Sequence, residues 1–175
     1  MDFKTKRSIP VTKLERPAGV LENPNFRRWF GESKVIDGGG KPLVVYHGTR
    51  PGNDITQFRI PNDRDGIYFT PDASYADGFT NDLRGDASLA GSIYPVYLSV
   101  KNPYVVHADD IDNDAAQSFL YRGLNRTELE NQGYDGAMLY LEGELDQVIV
   151  FNHMQIKSAT SNNGLFDPEN PDITR

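Results

Sequence analysis

The 175 residues suffice for one domain with a real core, but not for two independent ones. No window approaches the roughly 18 apolar residues of a membrane span, no apolar run follows the opening Met1-Asp2-Phe3-Lys4-Thr5-Lys6-Arg7 as in a secretory leader, and no cysteine is present to form disulfides, a thiolate metal site or a sulfur nucleophile. The net charge of −7 disfavours loose binding to phosphate backbones, and the whole composition suits a reducing cytosol.

Residues 1–22 carry a net +2 and the remainder −9, so a flexible basic arm precedes a domain expected over 23–175. A targeting or docking role for that arm is the sharper alternative. Asn23-Pro24 opens a helix, with Phe26, Trp29 and Phe30 on one apolar face and Gly31 at its end. Asp37-Gly38-Gly39-Gly40 predicts a hairpin or tight reversal between Val35-Ile36 and the strand from Leu43 to Tyr46. Arg50 to Asp65 reads as a long loop anchored by Ile55 and Phe58, and loops of that length are often functional.

Gly66 to Thr70 reads as a strand end, and Pro71 to Phe79 contains a short helix. Asp82 to Gly91 is a second polar loop, suited to acceptor recognition. Ile93 to Val100 alternates as a strand and stops at Lys101-Asn102-Pro103. Helices are expected over Ala115–Leu120 and Arg126–Asn131, the second capped by Asn125 or Thr127. Strands over Ala137–Leu141 and Gln147–Phe151 flank the acidic turn Glu142-Gly143-Glu144-Leu145-Asp146, and an extended tail runs over the surface from Thr160. The expected fold class is α+β, with two small packed sheets and short peripheral helices.

Two segments, Val44-Val45-Tyr46-His47-Gly48-Thr49 and Gly66-Ile67-Tyr68-Phe69-Thr70, each carry a polar or aromatic group at a strand end. In this order and spacing they resemble the NAD-binding halves of ADP-ribosyltransferases of the diphtheria-toxin and poly-ADP-ribose-polymerase type, known by a His, Tyr, Glu triad on successive strands. The closing string Gln147-Val148-Ile149-Val150-Phe151, then Asn152 and Gln155-Ile156-Lys157-Ser158, resembles the end of such domains in phage and mobile-element (polyvalent) proteins and bacterial toxins.

The resemblance implies that NAD is the donor substrate, with no bound cofactor. Breaking its nicotinamide–ribose bond develops oxocarbenium-like positive charge, which calls for a nicotinamide clamp, a ribose hydrogen bond and nearby negative charge. It assigns the ribose to His47, carboxamide contact to the Gly48 backbone and support of the turn to Thr49. It sets the Tyr68 ring against nicotinamide. A second aromatic follows after ten intervening residues at Phe79, with Tyr75 as its rival one helical turn earlier. Arg50, Arg59 and Arg64 are pyrophosphate candidates. Without the resemblance, His47 would be a structural strand-end residue and the rings core residues. His47, His107 and His153 have no metal-ligand spacing.

The family's catalytic Glu falls at Gln147. A unit charge at ~4 Å and an effective dielectric near 20 contributes about 4 kcal/mol, roughly a thousandfold in rate. Gln147 therefore fits a silenced transferase, a transferase working without that charge, or a domain that binds NAD without turnover. Strand alternation sets Asp146 on the face opposite Gln147, while Glu144 in the turn is an acceptor-side candidate, although acidic turns are usually just solvated.

The implied function is mono-ADP-ribosylation of a macromolecular acceptor, protein or nucleic acid, by a cytoplasmic toxin, effector or phage-encoded modifier, with an antitoxin or immunity protein as partner and no membrane involvement. An NAD glycohydrolase and a non-catalytic NAD-binding or phage structural domain are the alternatives.

Overall fold

The computed structural model describes residues 18–52, 54–60, 65–80 and 91–175. The Asn23-Pro24 signal opens helix α1 (Pro24–Phe30), where the Asn23 side chain accepts from the N–H groups of Asn25 and Phe26 at 2.8 and 3.4 Å. Those donors have no partner inside the helix, and proline brings none of its own. Residues 18–22, counted with the arm in the sequence, lie against the domain: Val20–Glu22 form one 3₁₀ turn, and Val20 is buried in the cluster that holds the α1 stripe. The reversal over Asp37–Gly40 forms, with Ile36 bridged to Pro42.

One sheet has the order β1 (Val45–Thr49), β3 (Ser92–Leu98), β7 (Ile156–Ser158), antiparallel throughout. The other runs β2 (Ile67–Phe69), β6 (Glu144–Val150), β5 (Gly136–Leu141), β4 (Pro103–Ala108), with β4 parallel to β5. Because strand side chains alternate, each sheet gives one face to a shared core. Val45, Val96 and Leu98 meet Ile67, Phe69, Val148 and Val150 there. The outer face of the first sheet packs under α1 and α2 (Ala73–Asp77), around Tyr97 and Phe166. That of the second is covered by α3 (Asp114–Gln117), the wide turn after it and α4 (Arg126–Asn131), around Phe119 and Leu129. This is the α+β arrangement of two small sheets and short helices read from the sequence.

Two elements depart from the sequence expectation. Pro103 opens β4 rather than closing a strand, a position where proline forfeits no needed ladder donor. The acidic turn is only Glu142-Gly143, both at positive φ (51° and 85°) as a two-residue hairpin turn requires. β6 therefore starts at Glu144.

The tail from Thr160 is more than a surface wrap. Phe166 and Ile173 are buried at 4% and 3% exposure. Lys157, itself buried, donates through Nζ to the carbonyls of Asn170 (2.7 Å) and Asp172 (3.1 Å). Ile173 accepts from the Ser158 N–H and donates to the Thr56 carbonyl, tying the tail to β7 and to the loop after β1.

Candidate active site

The two sheets are fastened where β1 meets the end of β2: Tyr46 and Thr70 exchange backbone hydrogen bonds of 2.8 and 3.0 Å. Beside this bridge lies a cleft of about 1250 Å³, walled by His47, Tyr68, Gln147 and the loop around Phe58 and Arg59. Small-molecule sites typically span ~300–1,000 Å³, so an extended dinucleotide has room.

His47 projects toward the inter-sheet side, like Val45 two residues earlier, with its ring against Phe58 and Phe69 at centroid distances of 5.2 and 5.3 Å. Its Nδ1 lies 2.7 Å from the Tyr68 carbonyl oxygen. A carbonyl only accepts, so Nδ1 carries the proton. Burial lowers the pKa of His47 from 6.5, against the opposing pull of that hydrogen bond. The ring is therefore neutral at neutral pH, and Nε2 offers a lone pair to a hydroxyl.

Tyr68, on β2, pairs with Ile149 of β6 and shares its face. The ring meets Phe119 edge-on at 6.4 Å, and its hydroxyl is held by the Asp65 carboxylate and the Phe119 carbonyl, the latter at 3.1 Å. Burial, then the Asp65 hydrogen bond and charge, raise its pKa, so the phenol stays protonated. Gln147 lies on the same sheet opposite Leu139 and is 5% exposed, with its side chain on the cleft wall.

Tyr75 and Phe79 sit at the mouth, T-shaped at 5.4 Å and about half exposed (48% and 56%). They are rim rings rather than core rings. Gly48 lines the cleft, but the cause of its missing side chain is packing: a Cβ there would lie 1.8 Å from the Ala76 carbonyl oxygen. Glycine thus lets α2 sit directly on β1 and carry Tyr75 and Phe79 to the cleft.

Thr49 closes β1 with a 3.3 Å hydrogen bond from its hydroxyl to the Ser92 carbonyl and is not part of the cleft wall. Of the arginine candidates, Arg59 lines the cleft, Arg50 is exposed away from it, and Arg64 lies outside the described residues. The acceptor-loop expectation for Asp82–Gly91 likewise falls almost wholly outside them. Glu144 is exposed at the start of β6, paired with Leu141 and off the cleft wall.

Three residues of the cleft wall, Asp65, Tyr121 and Arg122, escaped the sequence reading. Asp65 anchors the Tyr68 hydroxyl. Tyr121 and Arg122 line the cleft from a π-helical turn, Ser118–Arg122, and such widened turns occur often at functional sites. Leu145 pairs with Tyr140 and Gln147 with Leu139, so Asp146 is the extra residue of a β-bulge. Simple alternation, which set its side chain opposite Gln147, is interrupted there, and Asp146 is not one of the residues that wall the cleft. Among the described residues, no three His, Asp or Glu side chains gather as a metal site would require.

A family model described as ADP-ribosyltransferase in polyvalent proteins matches residues 37–166. The chain belongs to this family. The match to ADP-ribosyltransferases takes in all seven strands among the described residues, and with them His47, Tyr68 and Gln147. Helix α1 lies before it. No curated protein matches the chain. An ADP-ribosyltransferase domain explains why polar groups from two different sheets converge on one cleft.

Proposed function

We propose that this domain cleaves the nicotinamide–ribose bond of NAD in the cleft and passes ADP-ribose to a macromolecular acceptor. The observation that carries the reading is a neutral, tautomer-fixed His47 on one sheet facing the same cleft as a buried Gln147 and an anchored Tyr68 on the other. His47 Nε2 accepts from a ribose hydroxyl. The Tyr68 ring, with Phe79 or Tyr75, packs on nicotinamide. Arg59 and Arg122 stand on the cleft wall for the pyrophosphate.

In the reaction the C1′–N bond breaks and its electron pair neutralises the pyridinium nitrogen, so nicotinamide leaves uncharged. The acceptor nucleophile bonds to C1′ and releases its proton to solvent. Gln147 hydrogen-bonds the ribose without a charge of its own, which favours slow turnover. NAD serves as donor, not as bound cofactor, and a cytosolic supply of it suits a toxin, effector or phage-encoded modifier held in check by an antitoxin or immunity protein.

Calorimetric titration with NAD tests the assignment. His47→Ala and Tyr68→Ala, checked for folding by circular dichroism, are expected to weaken binding at least ~10-fold, the cost of one good buried polar or stacking contact. Native affinity in both variants would contradict it. Release of free ADP-ribose without labelled macromolecule would assign water as the acceptor and make the domain a glycohydrolase.

A further inference from the structure

Residues three apart in an extended strand point to opposite faces, so Asp65 and Tyr68 would not meet if the chain ran straight into β2. It bends instead at Asp65-Gly66. Gly66 has a φ of +146°, and a Cβ there would lie 2.3 Å from the Val150 carbonyl oxygen, so only glycine fits. The bend sets the Asp65 carboxylate on the Tyr68 hydroxyl, which donates to it. Tyr68 is thereby held at both ends, since its backbone carbonyl accepts from His47 Nδ1 at 2.7 Å.

The far side of the cleft closes over the same point. The Tyr68 hydroxyl also lies 3.1 Å from the Phe119 carbonyl oxygen, in the π-helical turn Ser118–Arg122. The hydroxyl has one proton for two acceptors, and the charged carboxylate is the stronger of them. Gly123 leaves that turn at φ +81°, and a Cβ on it would come 3.1 Å from Asp65 Oδ1. Asp65, Tyr68 and Gly123 all wall the cleft, so the contact belongs to the cleft itself.

We infer that Asp65 is a positioning residue for donor binding: through the Tyr68 hydroxyl it fixes the ring that stacks on nicotinamide. The nicotinamide part rests on the transferase reading above; the hold on the ring rests on the geometry around Asp65 alone. A ring fixed before the ligand arrives loses little freedom on binding, so more of the stacking energy appears as affinity.

Two measurements separate these parts. Burial, then the Asp65 hydrogen bond and charge, raise the Tyr68 pKa. In the protein without NAD, the Tyr68 Cζ resonance, assigned with Tyr68→Phe, should therefore show a protonated phenol at about pH 10, where an ordinary tyrosine is half ionised. In Asp65→Asn, which keeps an acceptor and removes the charge, it should titrate at lower pH than in the native chain. Identical titrations in the two overturn the contact whether or not NAD is a substrate. Calorimetry with NAD then reads the positioning. Asp65→Ala and Tyr68→Phe should each weaken binding about 3- to 10-fold, the range for one net hydrogen bond, and Asp65→Asn should recover most of that loss. The double variant Asp65→Ala/Tyr68→Phe should bind no worse than Tyr68→Phe, because Asp65 acts only through the hydroxyl. Native affinity in Asp65→Ala, a loss in Asp65→Asn equal to that in Asp65→Ala, or additive losses in the double variant each overturn the positioning role while leaving the donor site intact. A native chain that does not bind NAD overturns the donor reading and the positioning role with it, and the phenol titration still decides the hold on the ring.

Discussion

His47 and Asp146 are both burdened by burial, and their effects on stability run in opposite directions with pH. The His47 pKa is lowered, so the unfolded chain binds more protons than the folded one, and stability falls as pH drops below about 6.5 toward the lowered value. The Asp146 pKa is raised, so the folded chain holds its proton more tightly, and stability falls as pH rises from 3.8 through the raised value. Thermal melts across pH should therefore show His47→Gln flattening the loss below neutrality. Asp146→Asn should melt above the native protein at neutral pH and lose that advantage in acid. Parallel native and Asp146→Asn curves would mean that the carboxylate is not held at a cost. His47, Tyr68 and Gln147 were picked out in the sequence by the resemblance that their motifs carry, and all three line one cleft. Asp65 and Asp146 were not. One holds the Tyr68 hydroxyl across a turn, and the other sits in a bulge that no period-2 reading contains.

At the scale of elements, α2 is the part whose placement most depends on a single small residue. Gly48→Ala puts a methyl within 1.8 Å of the Ala76 carbonyl, a backbone atom that can yield only if the helix moves. We expect a loss of stability of about 1–3 kcal/mol, as for overpacking. NAD binding should weaken too, since Tyr75 and Phe79 move with α2. An unchanged melting temperature and affinity would contradict the packing role. The α1 stripe gives the opposite case of a position fixed by size: Phe26 meets Tyr97 and Phe166 edge-on, each at 5.0 Å, and Phe26→Ala should cost about 3–5 kcal/mol in denaturant unfolding. That helix, its cap and its buried face were readable from Asn23-Pro24 and the i, i+3, i+4 spacing. β4 was not, because Pro103 is equally compatible with a strand's end and its beginning, and only the parallel pairing with Gly136–Leu141 decides between them.

Across the whole molecule, the cleft lies beside the Tyr46–Thr70 bridge, where the two sheets that share a core are fastened together. The C-terminal tail braces one wall, since Ile173 reaches from β7 to the loop that carries Phe58 and Arg59. Lys157→Met removes the two Nζ hydrogen bonds that hold the tail. Hydrogen exchange over residues 160–175 should then rise sharply, with a smaller rise over residues 54–60; protection equal to the native chain's would show that the lysine does not hold the tail. No helix among the described residues is long and apolar enough to cross a membrane. Turnover of NAD in this cleft is read most directly as nicotinamide release and label transfer from NAD, with cell lysate present, by the native chain and by Gln147→Glu. We expect slow release by the native chain and faster release by Gln147→Glu. The gain should be on the order of the ~1,000-fold of a new carboxylate beside the developing charge. If neither form releases nicotinamide and neither binds NAD, the cleft is not an NAD site and the transferase reading fails.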